Sequence, residues 1–429
     1  MTDTHARLRS QSLICNAFLT ILVVITGSPQ SFAADYALRD GDTVVFLGDS
    51  ITAARSYGKM IENYTLLRFP QRKIRFVNSG IGGDTAAGGL KRIERDVFAH
   101  NATVLIVAFG TNDIGWGMLA DNEHKQNYLS AIQGIVTQCR KRDVRVYICS
   151  AAVMAGDPDQ GEDSYLQKMC DEGMALSRSL GGDAIDVQRS MREVQRRVAK
   201  SNVAIQDPTK HNTMHLADGA HLNELGQFAM AFAILKGLNA PAEVSSATVN
   251  AADGRVVETT HCQVTDVVKG NDRLEFTRFD ECLPFNYGLF FALNFRFVPA
   301  HTELNHYLLT VTNLPDGRYD VLADDRGVGT FTARQLAGGV NIASTTANGW
   351  EPGGPWNAQA NSLMSLTNAR HELATAGLLT TLYTKQGNLP EELARISAPA
   401  NEQLEILQRM MARPRPYRFV IEPEKKKEK

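Results

Sequence analysis

Short runs that are apolar at nearly every position alternate with longer amphipathic stretches between residues 40 and 240. The apolar runs occupy residues 43–47, 74–78, 103–108, 144–150 and 184–186, and several end in Gly, Asn, Asp or Ser. Runs of this length, rich in β-branched residues, read as strands covered on both faces. Helical periodicity falls between them, near residues 54–69, 88–99, 123–142, 163–180 and 223–238. This alternation predicts an α/β fold, a doubly wound parallel sheet with helices on both sides. Ligands of such sheets bind beyond the carboxyl ends of the strands, near the point where strand order reverses.

The pattern changes after residue 237. Asn239-Ala240-Pro241 reads as a linker, and residues 243–340 show short strand signals with turn punctuation such as Asn313-Leu314-Pro315-Asp316-Gly317. These predict a small antiparallel β module behind an α/β domain spanning 35–240. Residues 341–416 read as a Trp/Pro/Gly-rich loop followed by helices over 357–384 and 401–412. In that loop Trp350 and Trp356 are expected to be packing anchors, with stacking on a sugar as the alternative. Residues 417–429 read as a charged tail.

At the other end, Arg7 and Arg9 precede an apolar run from Leu13 to Ile25, and Ser31-Phe32-Ala33 offers small residues for cleavage. Residues 1–33 are therefore expected to be a signal peptide, and the mature chain to be exported to the periplasm or beyond. No later apolar run is long enough to span a membrane. Of the six cysteines, five lie beyond Cys15, so at least one is expected to stay unpaired. Cys262 and Cys282 bracket one predicted β segment and are the expected disulfide, while Cys139, Cys149 and Cys170 read as buried thiols.

The 429 residues are 43% hydrophobic and 21% charged, with a formal net charge of −2. That balance gives no electrostatic footprint for nucleic acid or an anionic membrane surface.

The candidate chemistry lies at the strand ends. The first strand runs into Gly48-Asp49-Ser50, the second into Asn78-Ser79-Gly80-Ile81-Gly82-Gly83-Asp84-Thr85, and the third into Gly110-Thr111-Asn112-Asp113. One rim would thus receive a hydroxyl, a glycine-rich backbone turn and a side-chain amide. Acyl transfer needs a nucleophile and preorganised donors for the oxyanion, although each loop alone also reads as an ordinary turn or helix cap. Further on, Asp218 precedes His221 by three residues in a tight loop. A carboxylate there can reach the imidazole and turn its other nitrogen toward a hydroxyl. His211 and His215, four apart, raise zinc binding as a rival. Pro208, Asn212 and Gly219 make the segment a poor helix, however, and Asp218 is the only acidic companion.

In order and approximate spacing, Gly48-Asp49-Ser50, the glycines of residues 78–85, Gly110-x-Asn112-Asp113 and Asp218-x-x-His221 resemble the four blocks of the SGNH (GDSL-like) hydrolases. The resemblance implies a three-layer α/β/α, flavodoxin-like fold and ester hydrolysis with neither cofactor nor metal. It makes Ser50 the nucleophile, His221 the base and Asp218 its orienter, with Ser50, Gly83 and Asn112 as the oxyanion hole. Gly83 is chosen because the family's donor glycine directly precedes Asp-Thr. Leu222 stands where proline is frequent, an adjustment of the loop. Asp49, Asp113 and Trp116 flank these groups and are assigned to substrate binding. Export, the β module and Trp116 together favour an O-acyl ester on a polysaccharide, most simply acetyl. The alternatives are a lipid esterase, or a glycan-binding protein with an idle hydrolase core.

Overall fold

The computed structural model describes residues 36–384 and 388–425. The expected signal peptide, residues 1–33, lies outside them. Five parallel strands form the first sheet: β1 (Thr43–Gly48), β2 (Arg75–Gly80), β3 (Val104–Ala108), β4 (Arg145–Cys149) and β5 (Asp183–Ile185), in the order β2-β1-β3-β4-β5. This is a flavodoxin-like order, with its switch point between β1 and β3. Gly48 is in register with Gly80 on one side and Ala108 on the other, so three strands stop at one level. The loops that follow them share a rim for that reason.

The helices are α1 (Ser50–Ala53), α2 (Ser56–Arg68), α3 (Ala86–Lys91), α4 (Ile93–Asp96), α5 (Asn122–Arg140), α6 (Tyr165–Ser179), α7 (Val187–Asn202) and α8 (Glu224–Gly237). Helices α3, α5 and α6 pack in series, and a core of Val45, Leu47, Leu105, Val107, Ile132, Ile135 and Met169 lies beneath them. On the opposite face α8 lies against α2 and α7, and Phe46 of β1 meets Tyr57 of α2 edge-on at 5.5 Å. Helix α7 falls between the last predicted strand, 184–186, and the last predicted helical stretch, 223–238. Its apolar stripe, Val187, Met191, Val194 and Val198, is buried at helical spacing, but a run of arginines, glutamate and lysine on the other face masks it.

The second half builds two further sheets from β6 (Glu243–Asn250), β7 (Arg255–Thr260), β8 (Cys262–Lys269), β9 (Leu274–Asp280), β10 (His306–Thr312), β11 (Arg318–Ala323), β12 (Arg326–Thr332), β13 (Val340–Asn341) and β14 (Tyr417–Pro423). Short helices α9 (Ala300–Glu303) and α10 (Ala333–Ala337) and the long α11 (Pro355–Tyr383) and α12 (Leu389–Met411) complete it. Strand orders are β13-β10-β6-β7 and β12-β11-β14-β9-β8.

Two expectations need correction here. The β region is not a self-contained antiparallel module over 243–340, because β6 and β10 run parallel and the second sheet needs β14. Residues 417–423 are likewise no charged tail: Tyr417, Phe419, Val420 and Ile421 are buried, and the strand pairs with β11 and β9. Only the charges from Glu422 onward fit the tail pattern, and residues 426–429 lie outside the described set.

Cys262 and Cys282 are both free, buried thiols rather than a disulfide. Each S–H is directed at a carbonyl of β6, Ser246 at 3.1 Å and Val244 at 3.5 Å respectively. The two tryptophans diverge. Trp356 is fully buried, donates Nε1–H to the Ala343 carbonyl at 3.0 Å and stacks on Phe419. Trp350 is 80% exposed.

Helix α2 connects the two halves. Buried Glu62 on α2 receives Arg370 and His371 of α11 at 2.5 and 3.0 Å and Gln408 of α12 at 2.8 Å. Tyr64 donates to the Pro241 carbonyl at 2.7 Å. This explains why α2 is buried nearly all round, with polar Glu62, Asn63 and Arg68 inside. Buried polar groups persist when they are hydrogen-bonded, and these have partners across the junction.

Candidate active site

Asp49 opens α1 as its cap, its Oδ1 accepting the Ile51 N–H at 2.9 Å. The turn sits tightly on β2: a Cβ at Gly80 would lie 2.2 Å from the Ala53 nitrogen, so only glycine admits α1 there. Ser50 is thereby held at the rim, its N–H at the start of the helix, outside the helical ladder.

The Ser50 hydroxyl lies 2.8 Å from Nε2 of His221, and Nδ1 of His221 lies 2.6 Å from Oδ2 of Asp218. The other oxygen of Asp218 accepts the N–H groups of Ala220 and His221, both at 2.9 Å. With Gly219 at a φ of +73°, the chain folds back so that one carboxylate serves its own loop and the imidazole. These N–H bonds, first that of Ala220, and the contact with His221 depress the Asp218 pKa to about 2. The carboxylate is thus ionised wherever the imidazole needs an acceptor for its Nδ1 proton.

Gly83 takes a φ of +75°, a conformation that strains other residues, and a Cβ there would meet nothing within 4 Å. Its face of the loop is open. Asn112 donates Nδ2–H to the Asp84 carbonyl at 3.0 Å, while its Oδ1 accepts the Trp116 indole N–H at 2.8 Å. Both ends of the amide are therefore fixed, leaving a second Nδ2 hydrogen for another acceptor. Trp116 is 40% exposed and meets the His221 ring edge-on at 5.6 Å.

The residues assigned to substrate binding thus separate. Trp116 lies at the site and orients Asn112, a role the sequence did not reveal. Asp49 and Asp113 are only 6% and 8% exposed and brace the loops from behind. Asp113 accepts the Ala86 N–H at 3.0 Å, joining the third loop to the start of α3. Burial, countered in part by that N–H, raises its pKa to about 7. Burial likewise raises Asp49 to about 6, against the N–H of Ile51 and the nearby His221.

Arg92 is a further bracing residue that the sequence reading missed. It pairs with Asp84 at 2.7 Å and Asp96 at 2.8 Å, and donates to the carbonyls of Ser79 at 2.7 Å and Gly48 at 3.1 Å. It ties the ends of β1 and β2 to the Gly83–Asp84 turn. Nothing in its sequence context, an arginine within a helical pattern, marks this.

His211 and His215 point elsewhere than His221, to the carbonyls of Ile205 at 3.0 Å and Val153 at 2.9 Å. Among the described residues no group of three or more His, Cys, Asp and Glu is arranged to hold a metal ion.

A serine–imidazole–carboxylate chain at the switch point of a 2-1-3-4-5 sheet defines a class of α/β hydrolytic enzymes. Residues 46–228 match the GDSL-like lipase/acylhydrolase family. This part of the chain is similar to that family, the SGNH hydrolases, and the protein is an ester-hydrolysing enzyme. Among solved structures, it is similar to a gut microbial diltiazem-metabolizing enzyme, with 24% identity, a TM-score of 0.76, and 90% of this chain and 98% of that one covered. The shared fold therefore includes the second half. An acetylxylan esterase from Geobacillus stearothermophilus is 18% identical over 47% of this chain and 96% of its own, with a TM-score of 0.40. An alpha/beta hydrolase from the metagenome of Lake Arreo, Spain, is 19% identical over 48% and 98%, with a TM-score of 0.38. None of the curated proteins matches the sequence. No helix of the described residues is long and apolar enough to cross a membrane.

Proposed function

We propose that the protein is an exported serine esterase that removes O-acyl groups, most simply acetyl, from a carbohydrate. The observation that carries the catalytic part is the continuous hydrogen-bonded chain from Ser50 through His221 to Asp218. In this reading Nε2 of His221 accepts the Ser50 proton as Oγ attacks the ester carbonyl. The oxyanion receives the N–H groups of Ser50 and Gly83 and the remaining Nδ2 hydrogen of Asn112. His221 then protonates the departing alcohol. A water deprotonated by the same imidazole attacks the acyl-Ser50 ester, releasing the acid and restoring the hydroxyl.

For the substrate, the support is access. His221 and Asp218 side chains are 33% and 38% exposed, so the triad lies at an open rim that a bulky alcohol such as a polysaccharide can approach. Trp116, exposed beside His221, offers an apolar and aromatic edge to a sugar ring. The expected signal peptide would bring the enzyme to such a polymer.

The test compares p-nitrophenyl acetate with p-nitrophenyl palmitate, then measures acetate release from acetylated xylan and pectin. Preference for acetate, with release from a polymer, is the expected result. Preference for palmitate would overturn the carbohydrate reading in favour of a lipid ester. Glycan binding without turnover of any ester would overturn the catalytic reading.

A further inference from the structure

A cavity of about 550 Å³ lies away from the triad. It lies between the exposed edge of β2 and helices α11 and α12, and its wall includes Arg55, Gly80, Arg370 and His371. Cavities of this size hold small-molecule ligands.

The charges on its wall do not balance internally. Arg55 and Arg370 are buried, at 8% and 6% exposure. The one buried carboxylate beside them, Glu62, pairs with Arg370 at 2.5 Å. Burial alone would raise the Glu62 pKa, but Arg370 and His371 outweigh it and hold the group near 2, so it stays ionised and is already engaged. Nε2 of His371 faces Glu62 at 3.0 Å, which leaves Nδ1 as the acceptor for Arg55 at 3.4 Å. Among the described residues, that long contact is the only side-chain hydrogen bond of Arg55. Nε of Arg370 has no hydrogen-bond partner among the described residues. Other charges nearby are engaged or outside: Asp96 is held by Arg92 and Arg95, Glu372 is exposed, and Arg75 is an exposed cation. Burial and then Arg370 lower the Arg55 pKa, and the exposed Glu372 offsets this only in part.

Beyond the cations, Leu373, Ala374, Leu378, Ala394 and Ala398 of α11 and α12 give the cavity apolar lining. We propose that this cavity is a binding site for an amphiphilic monocarboxylate, its carboxylate paired with Arg55 and its apolar body lying along α11 and α12. A guanidinium with free donors takes a carboxylate in a forked, charge-assisted pair. Burial of the chain against the helices adds hydrophobic stabilisation. Arg55 lies only five positions beyond Ser50, yet Ser50, Asn112 and His221 do not line the cavity, so the site is separate from the esterase centre.

Isothermal titration of the full chain with sodium octanoate tests this. One molecule is expected to bind, at least tenfold more weakly in Arg55→Gln, with unchanged affinity in Ser50→Ala. Neutral 1-octanol should bind far more weakly than octanoate. Gly377→Leu supplies an independent test: its Cβ meets nothing within 4 Å in the helical interior, so the variant is expected to fold normally and fill the cavity. It should abolish binding. No heat with octanoate, affinity insensitive to both Arg55→Gln and Gly377→Leu, or loss of binding in Ser50→Ala would overturn the proposal. Equal affinity for 1-octanol would overturn the role of Arg55.

Discussion

The two halves of this chain use polar residues in opposite ways. In the parallel-sheet half, Ser50, Gly83 and Asn112 sit in loops directly after β1, β2 and β3, and Asp218 and His221 share one loop just ahead of α8. In the second half, polar residues are internal ties. Arg278 and Asp280 are wholly buried 2.9 Å apart, with Tyr307 donating to Asp280 at 2.7 Å and Ser245 at 2.6 Å. Breaking such a pair is expensive because one charge is left alone. One half displays chemistry on a scaffold fixed by apolar packing, whereas the other spends its polar groups on cohesion. Substitutions of the rim groups that face the reacting ester should therefore change turnover without changing stability, and changes in the second half should do the reverse.

The largest effect expected is that of Ser50→Ala: loss of esterase turnover by a factor of about 10⁴ or more, with the melting temperature nearly unchanged. Deleting residues 417–429 tests the other side. Without β14 the sheet divides between β11 and β9, exposing Phe276 and Trp356, and the chain should lose cooperative unfolding or aggregate. A truncated protein with the parent's unfolding profile would restore the charged-tail reading. Asn112→Ala should reduce kcat about 10²- to 10³-fold, the usual cost of one oxyanion donor. Trp116→Phe keeps the ring and removes the N–H that holds Asn112. A hydrogen bond of about 0.5–1.5 kcal/mol implies a loss in kcat of roughly 2- to 13-fold, with KM little changed.

The smallest effect concerns Asp113. Its native pKa, about 7, lies above that of the unfolded chain, so the folded state holds the extra proton. Its stabilising contribution is complete below about pH 4 and disappears as pH rises to about 7. Asp113→Asn, permanently neutral, should therefore melt above the parent at pH 8, and the difference should shrink toward pH 5. An unchanged gap across that range would show that burial does not hold the proton.

How legible each half was in the sequence follows from the same contrast. Strands β1 to β5 could be read because each is apolar throughout and flanked by its own turn. Ser50 and Asn112 could be placed because strand register brings the loops after β1 and β3 to one level, and Asp218 and His221 because they lie three apart in one tight loop ahead of a helix. Trp116 and Arg92 could not, since their roles depend on which acceptor each side chain meets after folding. In the second half pairing is remote: β14 joins β9 across about 140 residues, and β6 joins β10 in parallel with β7, β8 and β9 between them. Local patterning carries no record of such partners. The short strand of residues 417–423 was hidden by the lysines and glutamates behind it, and Cys262 and Cys282 were paired from spacing alone.

The central claim is that Ser50 is the nucleophile of the His221–Asp218 relay. Treatment with a fluorophosphonate, followed by peptide mass spectrometry, tests it directly. A single adduct on Ser50, formed in step with loss of esterase activity and much more slowly in His221→Ala, is the predicted result. An adduct on another residue, or esterase activity surviving full modification of Ser50, would contradict it.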